Sequence, residues 1–255
     1  YIDFDNLIKR MPDARFLDAS EVIWSVRMVK SIAEVECLRR AAQITSSAYS
    51  VVAEQARAGM TEKQVAKILT DAMVEDGGSN AWILLNSGPY NYHVISGAPT
   101  DRRLAYGNTL WIDAGCTFKG YFCDFSRNFA IGPAKAEQIG THAMLNELMQ
   151  HLMKRLTDGM RASEIDEECT RFLGQRDLNN TFNAGRLGHG IGIALTEPPH
   201  IAGYDDTVLR PGMYFSLEPG FITDYGCFQM EQDIYLGEKG IEIFSIAETD
   251  LKMIR

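Results

Sequence analysis

The chain has 255 residues, 45% of them hydrophobic, and a formal net charge of −9, enough apolar material for one large core or two small ones. Its 25 Lys and Arg are scattered, the densest pairs being Arg39-Arg40 and Arg102-Arg103, which argues against a nucleic-acid-binding face. No run approaches eighteen apolar residues, so no membrane span is expected and the protein reads as cytoplasmic, while five cysteines without paired CxxC spacing speak against a disulfide framework or a zinc knuckle.

The opening stretch YIDFDNLIKRMPDARFLDASEVIWSVRMVK ends strand-like with no second strand nearby. Residues 1–27 are expected to be the tail of a further N-terminal domain or a linker. Ser31 followed by Glu34 forms a capping-box pattern, after which Val35, Leu38, Ala42, Thr45, Ala48 and Val52 recur at helical spacing, predicting a helix from about Ser31 to Ala56. Thr61 with Gln64 repeats the capping signature and predicts a second helix that stops at Gly77-Gly78. Short strand-like runs follow, AWILLNSG and LAYGNTLWIDAGC, separated by Gly and Pro.

The pattern then starts again. KRLTDGMRASEIDEECTRFL lies over EQARAGMTEKQVAKILTDAM at an offset of 100, and LRPGMYFSLEPG over LAYGNTLWIDAG at an offset of 105. In that alignment Gly159-Met160 covers Gly59-Met60, and Glu218 covers Asp113. Each copy turns and returns as a second strand, carrying Asp124 in one case and Glu231 in the other. Two matched segments in one order indicate an internal duplication of a helix-helix-hairpin unit, hence an α+β fold.

Asp113 and Asp124 sit among residues that read as core, where an uncompensated carboxylate is costly. Two related hairpins packed about a pseudo-twofold axis would bring Asp113, Asp124, Glu218 and Glu231 to one place. Four carboxylates raise one another's pKa unless cations intervene, and a pair of divalent metals is the economical solution. His189, in GRLGHGIGIALTEPPHI, is flanked by Gly188 and Gly190, whose backbone can approach a ligand closely. One imidazole and four carboxylates make a hard, oxygen-rich site suited to Mn, Fe, Co or Zn, and metal-assisted hydrolysis is the reaction class this implies.

The motifs IDAGCTFKGYFCDFSR, GHGIG, SLEPG and QMEQDIYL, in that order, resemble the catalytic domain shared by methionine aminopeptidase, aminopeptidase P, prolidase and creatinase. The resemblance covers residues 28–255 and implies the duplicated pita-bread fold, with an Xaa-Pro peptidase-like activity on short peptides. Under it Asp113 would chelate one metal ion, Asp124 and Glu231 would bridge two, and His189 and Glu218 would complete the second ion's shell, Glu218 also taking part in catalysis. A homodimer is the expected assembly. His93, in YNYHVISGAPTDRRL, matches a position where this family keeps a substrate-contacting His. Seven residues past the metal His the peptidases place a second His; this chain has Thr196, listing it as a candidate catalytic hydroxyl that cannot be cationic. Gln229 stands where prolidase-like members often carry Arg. These departures keep open a creatinase-like hydrolase of a small C–N bond, or a lyase on the same scaffold. A metal-free binding protein is the third reading. His142 and His151 are expected to be solvated on a helix, His200 is a candidate to line the cleft, and Cys123 is a weak candidate nucleophile.

Overall fold

The computed structural model describes residues 2–182 and 184–255. Helices α1 (Ile2–Arg10) and α2 (Ser20–Arg27) bury none of their residues. The strand-like reading of the opening segment is corrected here, since VIWSVR lies in α2. A strand without a partner leaves its backbone polar groups unpaired, whereas a helix closes them internally, and Glu21 in the first turn with Arg27 in the last suits the helix dipole.

Helix α3 (Ile32–Gln55) begins at the predicted cap: the Glu34 N–H donates to Ser31 Oγ, and the Ser31 N–H donates to Glu34 Oε2 at 2.7 Å. All six apolar-face positions named from periodicity are buried. Helix α4 (Glu62–Glu75) repeats the arrangement with Thr61 and Gln64. Strands β1 (Ser79–Ser87), β2 (Thr109–Phe118), β3 (Tyr121–Phe122) and β4 (Phe125–Ile131) follow, then helices α5 (Ala136–Arg155) and α6 (Ala162–Gly174). The remaining strands are β5 (Gly188–Gly190), β6 (Glu197–Ile201), β7 (Tyr214–Leu217), β8 (Gly220–Thr223), β9 (Gly226–Gln229), β10 (Gln232–Gly237), β11 (Gly240–Ile243) and β12 (Lys252–Ile254).

One sheet runs β1-β2-β4-β12 with β3 on β2; a second runs β11-β10-β7-β5-β6; β8 and β9 form a separate hairpin. All pairings are antiparallel except β4 with β12. Each sheet has its own helix pair and its own core. Leu38, Ile44, Val52, Leu69 and Met73 pack with Ile112 and Phe125, while Leu145, Leu148, Ile165 and Phe172 pack with Phe215 and Ile234.

The duplication is visible atom by atom. The Gly59 N–H donates to the Leu104 carbonyl at 2.8 Å and the Leu104 N–H to Met60 at 2.8 Å; in the second half Gly159 donates to Leu209 at 3.0 Å and Leu209 to Met160 at 2.8 Å. Gly59 and Gly159 share a left-handed backbone, φ +87° and +85°, which a side chain would strain. Isolated bridges pair Thr61 with Arg103 and Arg161 with Val208, so the loop after each first helix is tied to the segment before each hairpin.

Polar contacts join the halves. Ser126 Oγ and Asn128 Nδ2 both donate to the Gln229 carbonyl, at 3.2 and 2.6 Å. Buried Arg127 donates to the carbonyls of Ser126, Glu231, Ser245 and Ala247 and to Gln232 Oε1.

Candidate metal centre

On β2, Ile112, Ala114 and Cys116 belong to the first core. Alternation therefore turns Trp111 and Asp113 to the opposite face, toward the second half, where Trp111 Nε1 donates to Gln229 Oε1 at 2.9 Å. Asp124 occupies the link between β3 and β4, His189 the centre of β5, Glu218 the link between β7 and β8, and Glu231 the link between β9 and β10. All five are buried. Asp124, His189 and Glu231 each offer a ligand atom within 4.8 Å of the others. Asp113 lies against Asp124 and Glu231, and Glu218 lies near enough to all of them to influence their protonation. The structure thus gathers Asp124, His189 and Glu231 around one point, with Asp113 and Glu218 beside them.

Electrostatics make that point a demand for cations. Burial, with the neighbouring acids adding to it, pushes the Asp113, Asp124 and Glu231 carboxyls well above the usual carboxylate range. Burial raises Glu218 to about 7, with His189 pulling the other way. Asp113 Oδ1, Asp124 Oδ1, Glu218 Oε1 and both Glu231 oxygens are buried without a hydrogen-bond donor among the described residues, although buried acceptors are ordinarily satisfied. His189 Nδ1 sits 3.0 Å from the Gly190 carbonyl, so Nδ1 carries the proton and Nε2 keeps its lone pair. That lone pair faces Asp124 Oδ2 at 3.2 Å, two acceptors in apposition. Burial lowers the His189 pKa and favours the neutral ring. A divalent cation between these atoms resolves the orphaned oxygens and the facing lone pair together, and the donor set fits one.

Other residues hold the acids in place. The Asp124 N–H and the Tyr214 hydroxyl both donate to Asp233 Oδ2, at 3.0 and 2.8 Å, so a carboxylate of the second half fixes a loop of the first. Gln229 Nε2 donates to Glu218 Oε2 at 3.2 Å; with Trp111 on its other end, the carboxamide relays β2 to Glu218. Arg186 Nε lies 3.7 Å from Glu218 Oε1. Asp233 and Arg186 were not singled out from sequence. The one available signal was Asp233's position two residues past Glu231, on a strand and at the same parity.

The remaining candidates are dispersed. His93 is exposed in the loop between β1 and β2 and lines a cavity of about 540 Å³ with Tyr92, Ile222, Thr223 and Asp224. The loop is anchored by buried Glu62, which accepts from Ser87, from the Thr100 N–H and from the Thr100 hydroxyl. Thr196 is exposed, its Oγ1 accepting from Arg186 Nη2 at 3.4 Å. Its neighbour Glu197 is buried, paired with Arg27 and 4.0 Å from Lys30 Nζ, and burial pulls that lysine down to about 8. His142, expected to be solvated, is instead buried, and desolvation takes it down to about 4. His151 is partly exposed and bonded to Glu168 at 2.6 Å. Cys123 is buried, and burial pushes its thiol well above the usual range, which removes it as a nucleophile.

Comparisons with known proteins converge on one family. A family model described as metallopeptidase family M24 matches residues 36–238. The chain is 33% identical over 204 residues to the probable dipeptidase PepE of Mycobacterium tuberculosis, covering 79% of this chain and 54% of that protein. It is 26% identical over 249 residues to the Xaa-Pro dipeptidase of Pyrococcus horikoshii, covering 97% and 71%. Among solved structures, the X-Pro aminopeptidase from Thermotoga maritima superposes with a TM-score of 0.91 at 26% identity over 98% of this chain and 71% of that one. The chain therefore spans about half the length of PepE.

Proposed function

The chain belongs to metallopeptidase family M24, and from that premise we propose that it is a dinuclear metal-dependent hydrolase of amide C–N bonds, acting on Xaa-Pro dipeptides or similarly short peptides. The observation that carries the reading is the convergence of Asp113, Asp124, His189, Glu218 and Glu231, with five buried carboxylate oxygens lacking donors. Two ions drawn from Mn, Co, Fe or Zn are the proposed occupants, and Asp113, Asp124, His189, Glu218 and Glu231 would hold them. Divalent ions held there would supply Lewis acidity toward the scissile carbonyl and lower the pKa of water.

The chain's own groups do the rest. Glu218, held at one oxygen by Gln229, takes the proton of the attacking water and returns it toward the departing nitrogen. His93, on its loop facing Ile222 and Thr223 across the cavity, would offer that nitrogen a hydrogen bond as the bond breaks, the transferred proton coming from Glu218. A homodimer in the cytoplasm belongs to the same proposal, as does a domain boundary near residue 28, where α2 ends and Val29 bridges to Met213.

Metal analysis after reconstitution, together with assays on Xaa-Pro dipeptides, longer Xaa-Pro peptides and small amides, tests the reading. Two metal ions per chain and dipeptide cleavage are expected. His93→Ala should lower kcat about 10²–10⁴-fold with metal content intact. A chain that takes up no metal rejects the proposal outright. Thr196 favours one second reading, a small-molecule C–N hydrolase, since a hydroxyl beside Arg186 offers a substrate a hydrogen bond without supplying charge. Turnover of small amides in place of peptides by the wild type, abolished by Thr196→His, would establish it.

A further inference from the structure

Every clustered ligand is an acceptor toward the site: four carboxylates, and an imidazole whose N–H is directed to the Gly190 carbonyl. Hydrolysis of an amide moves the carbonyl π pair onto oxygen as the water oxygen bonds to carbon, and a fixed donor aimed at that oxygen lowers the barrier. Two nearby donors are already engaged, and Arg186, whose Nε lies 3.7 Å from Glu218 Oε1, faces a carboxylate. Gln229 Nε2 goes to Glu218, and Arg127 goes to backbone carbonyls and Gln232.

Strand β6 supplies another. His200 stands directly opposite His189 in the antiparallel register of β5 and β6, so both rings leave the same face of the sheet, with Cβ atoms about 4.5–5.5 Å apart. His189 is buried in the cluster; His200 is partly exposed. Its position is fixed, because its N–H donates to Asp205 Oδ2 at 2.7 Å and its ring lies 6.3 Å from that of Tyr204. Its Nδ1 is buried with no partner among the described residues. Arg186, 3.7 Å from Glu218 Oε1 and 3.4 Å from Thr196 Oγ1, lines a polar cavity of about 480 Å³ together with Tyr204, Asn179 and Asn180. Arg186, in contact with Glu218, and residues 202–204, which follow β6, are the links between this cavity and the cluster.

We propose that His200 is a catalytic residue of this site, its imidazole N–H donating to the carbonyl oxygen of the scissile amide, with Arg186 as the positioning residue that fixes the polar wall between His200 and Glu218. No proton is transferred in this step; the hydrogen bond shortens as charge reaches the oxygen. The proposal rests on the amide-hydrolase reading above.

The test uses the metal-reconstituted full chain and the variants His200→Ala, His200→Gln and Arg186→Gln. In His200→Ala, kcat for Ala-Pro should fall about 10²–10³-fold, with KM within a few fold and metal content unchanged. His200→Gln, which keeps an N–H, should recover part of the loss, and Arg186→Gln should show a smaller one. Calorimetry with the phosphinate isostere of Ala-Pro gives a second readout: its affinity should drop in parallel in His200→Ala, while proline binding stays the same. Unchanged kcat and unchanged phosphinate affinity overturn the assignment, and so does a loss of activity that tracks a loss of metal. If the wild type cleaves no Xaa-Pro substrate, the broader function fails; the phosphinate comparison still decides on His200, and absence of phosphinate binding to the wild type overturns both.

Discussion

Glu231 is the acid most crowded by charge: burial, then Asp124, Asp113, Glu218 and Asp233, all push its carboxyl upward. Replacing it with the isosteric amide removes a charge and brings N–H donors to oxygens that lack them. Chelator-treated Glu231→Gln should therefore melt higher than chelator-treated wild type, by about 2–4 °C for each kcal/mol of repulsion relieved, and should lose the rise in Tm that metal confers. A lower Tm under chelator would mean that the carboxylate is satisfied in some other way. Glu218 contributes to the pH dependence in the same direction as its raised neighbours Asp113, Asp124 and Glu231. Its folded pKa of about 7 lies above the ordinary 4.5, so between those values the metal-stripped fold binds more protons than the unfolded chain, and stability falls as pH rises through the window. Metal binding needs the deprotonated ligands and runs the other way. Thermal melts from pH 5 to 7.5, with and without metal, should diverge; parallel curves would count against the clustered acids as metal ligands.

Among the elements, β5 has little room. A Cβ at Gly188 would meet the Ser216 carbonyl oxygen at 2.0 Å, backbone that cannot swing aside. Gly188→Ala should push β5 from β7 and move His189 relative to Glu218, lowering metal affinity at least tenfold by isothermal titration while far-UV circular dichroism stays native. Wild-type affinity in that variant would show that the strands tolerate separation. Elements with local causes were legible: capping pairs at Ser31 and Thr61 gave the starts of α3 and α4, and the repeated Gly-Met turns gave the duplication. Elements decided by distant partners were not. Val22, Trp24 and Val26 alternate like a strand, but no neighbour completes one and α2 forms. His142 looked solvated because its helical position carries no sign that its face packs near Arg127 and Asp250.

At the scale of the molecule, the four clustered acids were legible because duplication places acids at matched positions, and a buried acid announces its cost in the sequence; His189 was legible from its glycine frame. The residues that orient them were not, since Asp233 reaches Asp124 and Trp111 reaches Gln229 only once the halves have docked. Arg127 is the strongest of these links. Burial pulls its pKa down only to about 10, so it remains a cation at neutral pH, bonded across the junction to the carbonyls of Glu231, Ser245 and Ala247. In Arg127→Met those carbonyls lose their donor inside a packed interface, at about 1–3 kcal/mol for each group left unsatisfied. Urea unfolding should show a loss of about 3–5 kcal/mol, with metal affinity falling because the Glu231 backbone is no longer held. Arg127→Lys, which keeps the charge but not the planar fork, should recover part of the stability. If Arg127→Met unfolds at the wild-type midpoint with undiminished metal binding, the halves are held together by their apolar cores alone and the guanidinium is incidental to the site.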